Sequence, residues 1–261
     1  MVDPQRTGDG PFTASQIRPR DRYELSHGHA IFCAPTGGDG ARATIAGSLV
    51  IDTDPGVDST GIDAGFTNGS GSLRAPDIAV GVPDAPGWVR GAPPLAIEYA
   101  SSGQDEDALK LKIADLLSQG TQQIWVVRLN GPRYVEVHTP NAPTKILAGN
   151  DELNAPGILT RPIPVELLYN RELAQQRALE NLLKRFGYES IDAIRDEAIE
   201  EGREEGQTGA RRETLIRILE RRFGRLSDDR RMTLMSTAPA DLEAAIDRAI
   251  DASSLEGFFA P

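Results

Sequence analysis

Two carboxylates in this chain stand where carboxylates are costly. Asp77 interrupts the run Leu73-Arg-Ala-Pro-Asp-Ile-Ala-Val, and Glu98 interrupts Leu95-Ala-Ile-Glu-Tyr-Ala. Both runs read as strands, and a charge inside an apolar strand destabilises it unless water, a counter-charge or a metal meets it. If the two strands are neighbours, both carboxylates converge on one side of a sheet. Carboxylates about 4–6 Å apart repel, and together they form a site for a hard divalent cation such as Mg²⁺. The backbone carbonyl of Tyr99 is a further candidate oxygen ligand. Lys112 follows in a segment where Leu109, Ile113, Leu116 and Leu117 recur at three- and four-residue steps. It falls on the apolar face of that predicted helix and wants a partner, for which Asp77 and Glu98 are the candidates. The same residues also fit a plain buried salt bridge on a structural sheet, and spacing alone leaves both readings open.

The elements that carry these residues follow from periodicity. Gly and Pro punctuate short apolar runs up to about residue 165, and Ala, Leu, Glu and Arg dominate beyond it. The first pattern predicts strands with loops, the second helices. Residues 1–12 read as disordered, and Thr13-Ala-Ser-Gln16 has capping-box spacing for a short helix that Pro19 ends. Tyr23 to Ala34 reads as a hairpin turning at Ser26-His27-Gly28, and Thr36 to Gly40 as a glycine-rich turn. Residues 52–71 read as loop with one short strand. Strands are predicted over 73–82 and 95–100, a helix over 105–119 ended by Gly120, a central strand over 124–129, and an antiparallel pair over 134–139 and 144–148. Strands, one helix and more strands imply a mixed sheet with a helix on its face. Beyond it, helices are expected over 165–186, 190–205, 210–223 and around 242–250, with a capping box at Ser253–Glu256 before a short last turn. Glycines 202, 206 and 209 make 195–209 read as a marginal or hinge segment.

Composition excludes several function classes. The chain has 261 residues and a net charge of −11, which argues against binding nucleic acid by charge over the whole surface but not against a local basic groove. The single cysteine, Cys33, can form neither an intrachain disulfide nor a zinc site alone. No apolar run reaches the roughly 18 residues needed to span a membrane. The N-terminus lacks a signal-peptide core, so a soluble, cytoplasmic protein without membrane association is expected. No phosphate-binding loop, HExxH or GxSxG occurs. His27, His29 and His138 have no metal-ligand spacing and read as turn or solvent-side residues. Trp125 reads as core, and Trp88 as a loop aromatic that packs over the sheet or stacks on a base.

At the two carboxylates the chain resembles the Uma-type restriction endonucleases, a bacterial branch of the PD-(D/E)XK nuclease superfamily. The resemblance covers about residues 12–172. It rests on Tyr23-Glu24-Leu25 with Gly28, Leu73-Arg-Ala-Pro-Asp77, Pro94-Leu-Ala-Ile-Glu98 with Ser101, and Asp107 five residues before Lys112. Gly120 and Ile124-Trp-Val-Val127 complete the set. It implies that Asp77 and Glu98 hold Mg²⁺ or Mn²⁺ and activate water, and that Lys112 orients the water and stabilises charge on the phosphate. Glu24 matches the family's early Glu and would complete the acidic cluster. Two positions depart from the pattern. Ala100 empties the usual lysine slot two residues after Glu98, so Lys112 must substitute. The stretch Pro35 to Arg42 lacks the histidine often found there.

The C-terminal part resembles a small helical domain of unknown function that accompanies such nucleases and transposase-like proteins. Its matching pieces are residues 201–206, Leu219-Glu-Arg-Arg-Phe223-Gly and residues 249–259. Between Arg211 and Arg231, eight arginines face four acids. They read as solvated helix faces, as a DNA-backbone patch, or, through the Leu215, Ile218, Leu219 and Phe223 stripe, as a self-association surface. The expected architecture is α/β: a restriction-endonuclease-like mixed β-sheet with flanking helices, plus an α-helical C-terminal extension. The expected parts are a disordered 1–12, a nuclease domain 13–172, a charged helical linker 173–209 and a helical domain 210–261. The expected function is metal-dependent endonucleolytic hydrolysis of DNA, with Arg42, Arg74, Arg90 and the C-terminal arginines docking the substrate. A homodimer through the C-terminal helices or the nuclease domain is expected. Two alternatives stand beside it: a nuclease-like module of a mobile-element or defence system that binds without cutting, and an oligomerising scaffold.

Overall fold

A strand apolar on both faces belongs inside a sheet with both faces covered, and Leu95–Ala100, interrupted only by Glu98, takes that place. The structure, a computed structural model, describes residues 10–19, 21–69, 71–103 and 105–260. The chain splits into two compact units, 1–189 and 190–261. In chain order the first unit contains β1 (Tyr23–Ser26), β2 (His29–Phe32), α1 (Gly38–Asp52), β3 (Thr60–Gly61), β4 (Phe66–Thr67), β5 (Ile78–Val80), β6 (Val89–Arg90) and β7 (Leu95–Ala100). It continues with α2 (Glu106–Gln119), β8 (Gln123–Arg128), β9 (Tyr134–His138), β10 (Lys145–Ala148), β11 (Glu152–Leu153), β12 (Ile163–Pro164) and α3 (Arg171–Arg185).

The main sheet has six strands in the order β10-β9-β8-β7-β5-β3. Only β7 and β8 run parallel, joined by α2, and the other neighbours are antiparallel. Alternate residues of β7 face opposite sides. Leu95, Ile97 and Tyr99 pack with Ala43, Ala46 and Val50 of α1 and Ala174 of α3. Ala96 and Ala100 pack with Leu109, Ile113 and Leu116 of α2. The sheet is therefore covered on both faces, a mixed sheet with flanking helices as expected.

Two expectations about this unit change. Residues 73–82 do not form one strand. Leu73 bridges Leu25 and Arg74 bridges Phe66, and the chain joins the main sheet only from Ile78. Pro76 lacks the N–H a ladder needs, so the chain leaves one set of partners there and enters the other. The second change is α1, which begins at Gly38 inside the expected glycine-rich turn and adds a helix where the pattern showed none. Gly38, Gly40 and Gly47 lower its propensity, but Gly47 also lets it approach the sheet. A Cβ there would collide with the Tyr99 hydroxyl, which donates to the Leu168 carbonyl at 2.9 Å. Gly47→Ala is expected to lower unfolding free energy by about 1–3 kcal/mol, read by urea denaturation. An unchanged midpoint would mean that α1 can shift without loss.

The expected disorder of residues 1–12 lies, for residues 1–9, outside the described residues, whereas Phe12 is buried and its N–H donates to Gly28 O. The expected helix over 165–186 is a 3₁₀ turn, Val165–Leu168, followed by α3 with Asn170 as its N-cap. Asn181 of α3 donates to Val50 O, and Arg185 donates to the carbonyls of Asp52, Asp54 and Val57. α3 thus belongs to the first unit, where a linker had been expected from 173.

The second unit contains α4 (Ile191–Phe223), α5 (Asp228–Met235), α6 (Leu242–Asp251) and α7 (Leu255–Phe259). α4 runs unbroken through the segment that reads as a hinge. A Cβ at Gly202, Gly206 or Gly209 would meet nothing within 4 Å, so these glycines cost helix stability without serving a close approach. Gly206→Ala is expected to stabilise the unit by about 0.5–1 kcal/mol, visible as slower amide exchange around residue 206. Leu215, Ile216 and Leu219 are buried with Leu226, Leu234, Leu242, Ala245 and Ala249, and Ile218 and Phe223 pack against them. The apolar stripe that could have served self-association is thus covered within its own unit. Several arginines are committed locally too: Arg212 to Thr237 O, Arg222 to Ala249 and Ile250 O, and Arg231 to Glu220. No described helix is long and apolar enough to cross a membrane.

Candidate active site

The parity of β7 aims Glu98 at α2. Ile97 and Tyr99 face α1, so Glu98 faces α2 between the small residues Ala96 and Ala100. It is 6% exposed. Asp77 stands at the corner made by Pro76, just before β5. Backbone pairing of β5 with β7 reaches Ile78 opposite Ile97. At the next rung Asp77 Oδ2 accepts the Tyr99 N–H at 2.7 Å. The Asp77 side chain thus extends the ladder and is anchored beside Glu98. The N–H and C=O of a strand residue project to the same edge, so the Tyr99 carbonyl also faces the Asp77 side.

Lys112 lies among these groups on the inner face of α2. Asp105 caps this helix by accepting from Asp107 and Ala108 N–H, and Gly120 ends it in the left-handed conformation. Lys112 Nζ is 2.9 Å from Glu98 Oε1, 3.0 Å from Glu24 Oε1 and donates to Ala75 O at 2.8 Å. It also donates to Glu98 Oε2 at 3.0 Å. Glu24, on β1, is buried and takes a second cation, with Arg74 Nη1 3.0 Å from Oε2. Arg74 in turn donates from Nε and Nη2 to Asp115 Oδ2 at 2.9 and 2.6 Å. Asp115 follows Lys112 by one turn of α2, on the same buried face.

The electrostatics follow from this crowding. Burial first, with Asp77 and Glu24 adding to it and Lys112 opposing, pushes the Glu98 carboxyl up to about 8. Burial likewise raises Asp77, against Lys112 and the Tyr99 N–H, which lower it. Burial pulls the Lys112 ammonium down, but Glu24, Glu98 and Asp77 outweigh it and the group is held above the ordinary lysine value. It stays charged at neutral pH. Asp63, in the left-handed region at φ 52°, interacts electrostatically with Lys112 and Glu24. Burial pushes the Cys33 thiol up to about 11, which keeps it a weak nucleophile.

The donor set suits a hard divalent ion. Glu98 Oε1 is buried and takes no hydrogen bond, although it pairs in charge with Lys112. Fully ionised, the four carboxylates of Asp77, Glu98, Glu24 and Asp115 exceed the charges of Lys112 and Arg74 by two. Among the described residues no group of three or more His, Cys, Asp and Glu could hold a metal. Mg²⁺ does not require one, because it keeps several waters and commonly takes one or two carboxylates plus substrate phosphate.

The structure thus brings Asp77, Glu98, Glu24 and Lys112 together from four different elements. Arg74, expected to dock substrate, is 1% exposed and lies inside the ion-pair chain instead. Arg42 and Arg90 are exposed. His27 and His138 remain turn and strand residues, His27 beside Ser26 with Nδ1 4.0 Å from Asp115 Oδ1, and His138 beside Glu136 and Thr144. Trp125 is fully buried, and Trp88 packs by the N-terminal segment, donating to Ala14 O. The residues that sequence reading missed are Asp115 and the inward role of Arg74. The signal for Asp115 was the same as for Lys112, a charge on the apolar stripe of α2.

A sequence model of the Uma2 family, described as "Putative restriction endonuclease", matches residues 11–166. Among solved structures, a crystal structure of "a putative nuclease belonging to DUF820" from Anabaena variabilis ATCC 29413 is similar in fold, with a TM-score of 0.53 and 18% sequence identity. The match covers 62% of this chain and 99% of that one. No curated protein matches.

Proposed function

Because the chain belongs to the Uma2 family of restriction endonucleases, we propose that it hydrolyses phosphodiester bonds of DNA with the help of Mg²⁺ or Mn²⁺. The observation that carries this reading is the convergence of Asp77, Glu98 and Glu24 around Lys112, with a buried Glu98 oxygen left without a hydrogen bond. Asp77, Glu98 and the Tyr99 carbonyl would hold the ion. When bound, such an ion lowers the pKa of a coordinated water and offsets charge on the phosphate.

The chain's own residues do the rest. The Tyr99 N–H fixes Asp77 Oδ2, so its carboxylate is oriented before substrate arrives. Lys112 is held charged by its carboxylate neighbours, so it acts as a donor and positive charge toward the phosphate oxygens and not as a base. Glu24 on β1 keeps Nζ in place with its Oε1 3.0 Å away. Glu98 has a carboxyl poised near neutrality, which suits it to exchange a proton for a cation. The exposed Arg42 and Arg90, and the exposed Arg211, Arg217, Arg221 and Arg225 of the second unit, are candidates for contacts with the DNA backbone.

The test is cleavage of supercoiled plasmid by the full chain with Mn²⁺ or Mg²⁺, against a chelator control, together with calorimetric titration of each ion. Metal-linked heat and nicking support the reading. Neither heat nor thermal stabilisation by the ions favours the second reading, a nuclease-like module that binds without cutting. One observation speaks for that alternative: Lys112 already pairs with Glu98 and Glu24 and donates to Ala75 O.

A further inference from the structure

Arg74 and Asp115 lie one step behind the groups that would meet substrate. We infer that they are positioning residues, which set where the Lys112 ammonium stands relative to Glu98 and Asp77. This inference rests on the reading of Lys112 as part of the reactive centre.

The argument starts from the shape of arginine. A guanidinium presents a rigid fork of donors, and a buried fork that is filled on both sides has one position. Arg74 is filled in this way: Asp115 takes Nε and Nη2, and Glu24 takes Nη1. Asp115 and Lys112 are neighbours on one helix turn, so the Arg74–Asp115 pair fixes the rotation and height of α2 against the segment that leads into Asp77. Glu24 then connects the fork to the ammonium, with Oε2 on Arg74 and Oε1 on Lys112. A carboxylate held at both oxygens cannot swing away from Nζ. The chain Asp115–Arg74–Glu24–Lys112–Glu98 therefore spans α2, the 73–74 bridge, β1 and β7 through side chains alone.

A tie that only held the fold together would not control the ammonium. Lys112 offers a direct readout. The chain has four lysines, and Lys110, Lys145 and Lys184 are exposed. The Lys112 ammonium is thus the one expected to give a slowly exchanging ¹⁵N signal in the full chain labelled on lysine, without DNA or metal. Lys112→Met assigns the signal by its loss.

Asp115→Asn keeps the shape at this position and removes the charge that fills one side of the fork. It is expected to speed exchange of the Lys112 ammonium protons with water by about tenfold, as weakening a charge-assisted hydrogen bond should, with the far-UV circular dichroism unchanged. Arg74→Lys, which keeps the charge but not the fork, is expected to do the same. Mn²⁺ affinity is expected to stay within about twofold in Asp115→Asn, because this residue is not a ligand. Wild-type exchange in a folded Asp115→Asn would overturn the inference. So would loss of the fold in that variant, which would make the pair a structural tie, and so would the lack of any slow ammonium signal in the unaltered chain. These outcomes are independent of cleavage. A chain that shows the slow signal and its loss in Asp115→Asn, yet never cuts DNA, refutes the hydrolase reading and leaves the positioning intact.

Discussion

Asp77→Asn and Glu98→Gln are each expected to lower Mn²⁺-dependent plasmid cleavage by about a thousandfold or more, while the folded chain survives. Each substitution keeps side-chain size and removes one of the charges that would hold the ion. Asp77→Asn can still turn its amide oxygen to the Tyr99 N–H, which Asp77 Oδ2 now accepts at 2.7 Å, so the corner after Pro76 is preserved. Cleavage at the wild-type rate in either variant would dismiss these residues from the site.

Glu98 adds a pH signature whose sign follows from its environment. In the folded chain its carboxyl is pushed up to about 8, whereas an ordinary glutamate carboxyl stands at 4.5. Between those values the folded state binds more protons than the unfolded one. The contribution of this group to stability is therefore full at low pH and is lost as pH rises through about 8. Glu98→Gln has no such loss, so its Tm relative to wild type is expected to climb between about pH 5 and about pH 9. Cation binding needs the ionised carboxylate and displaces its proton, so affinity and cleavage rate are expected to rise with pH toward about 8. A Tm difference that stays flat over that range would show that Glu98 is ionised throughout.

The second large effect concerns Lys112. Lys112→Met is expected to destabilise the chain by about 3–5 kcal/mol, the usual consequence of removing one member of a buried ion pair. Its ammonium stands between Glu24 and Glu98, both buried, and is the charge that lowers the Glu98 and Asp77 pKa values. Without it Glu24 keeps only Arg74 as a partner, and Glu98 and Asp77 lose the charge that offsets their burial. Cleavage should fall with it by at least about a hundredfold. The double variant Lys112→Met with Glu98→Gln should recover part of the lost stability, since it removes a carboxylate along with its partner. Urea denaturation of the two single variants and the double one measures this coupling. Additive losses would mean that the pair does not interact, in conflict with the 2.9 Å separation.

Much of this chemistry was legible in the chain as written. The apolar runs around Asp77 and Glu98 announced two charges in strands, and the helical recurrence of Leu109, Ile113 and Leu116 put Lys112 on an inward face. The hairpin over β1 and β2, the caps of α2 and the parity of β7 all follow from local rules of spacing and steric preference, which act over a few residues. Other features were hidden because they depend on partners distant in sequence. α1 was missed because glycines that weaken a helix also let it approach Tyr99, and the benefit appears only once β7 lies beneath it. Residues 195–209 form helix where their glycines suggested a hinge.

Sequence alone determined the residue types, the faces of β7 and α2 and the likeness to a nuclease family. Only the tertiary structure decided which charges meet. Arg74, Asp115, Glu24 and Lys112 come from three separate stretches, and as written Arg74 resembles any surface arginine. Folding removes these side chains from water, and a buried charge must then find an opposite charge within a few ångströms. That demand selects a single pairing out of many, and no local pattern encodes it.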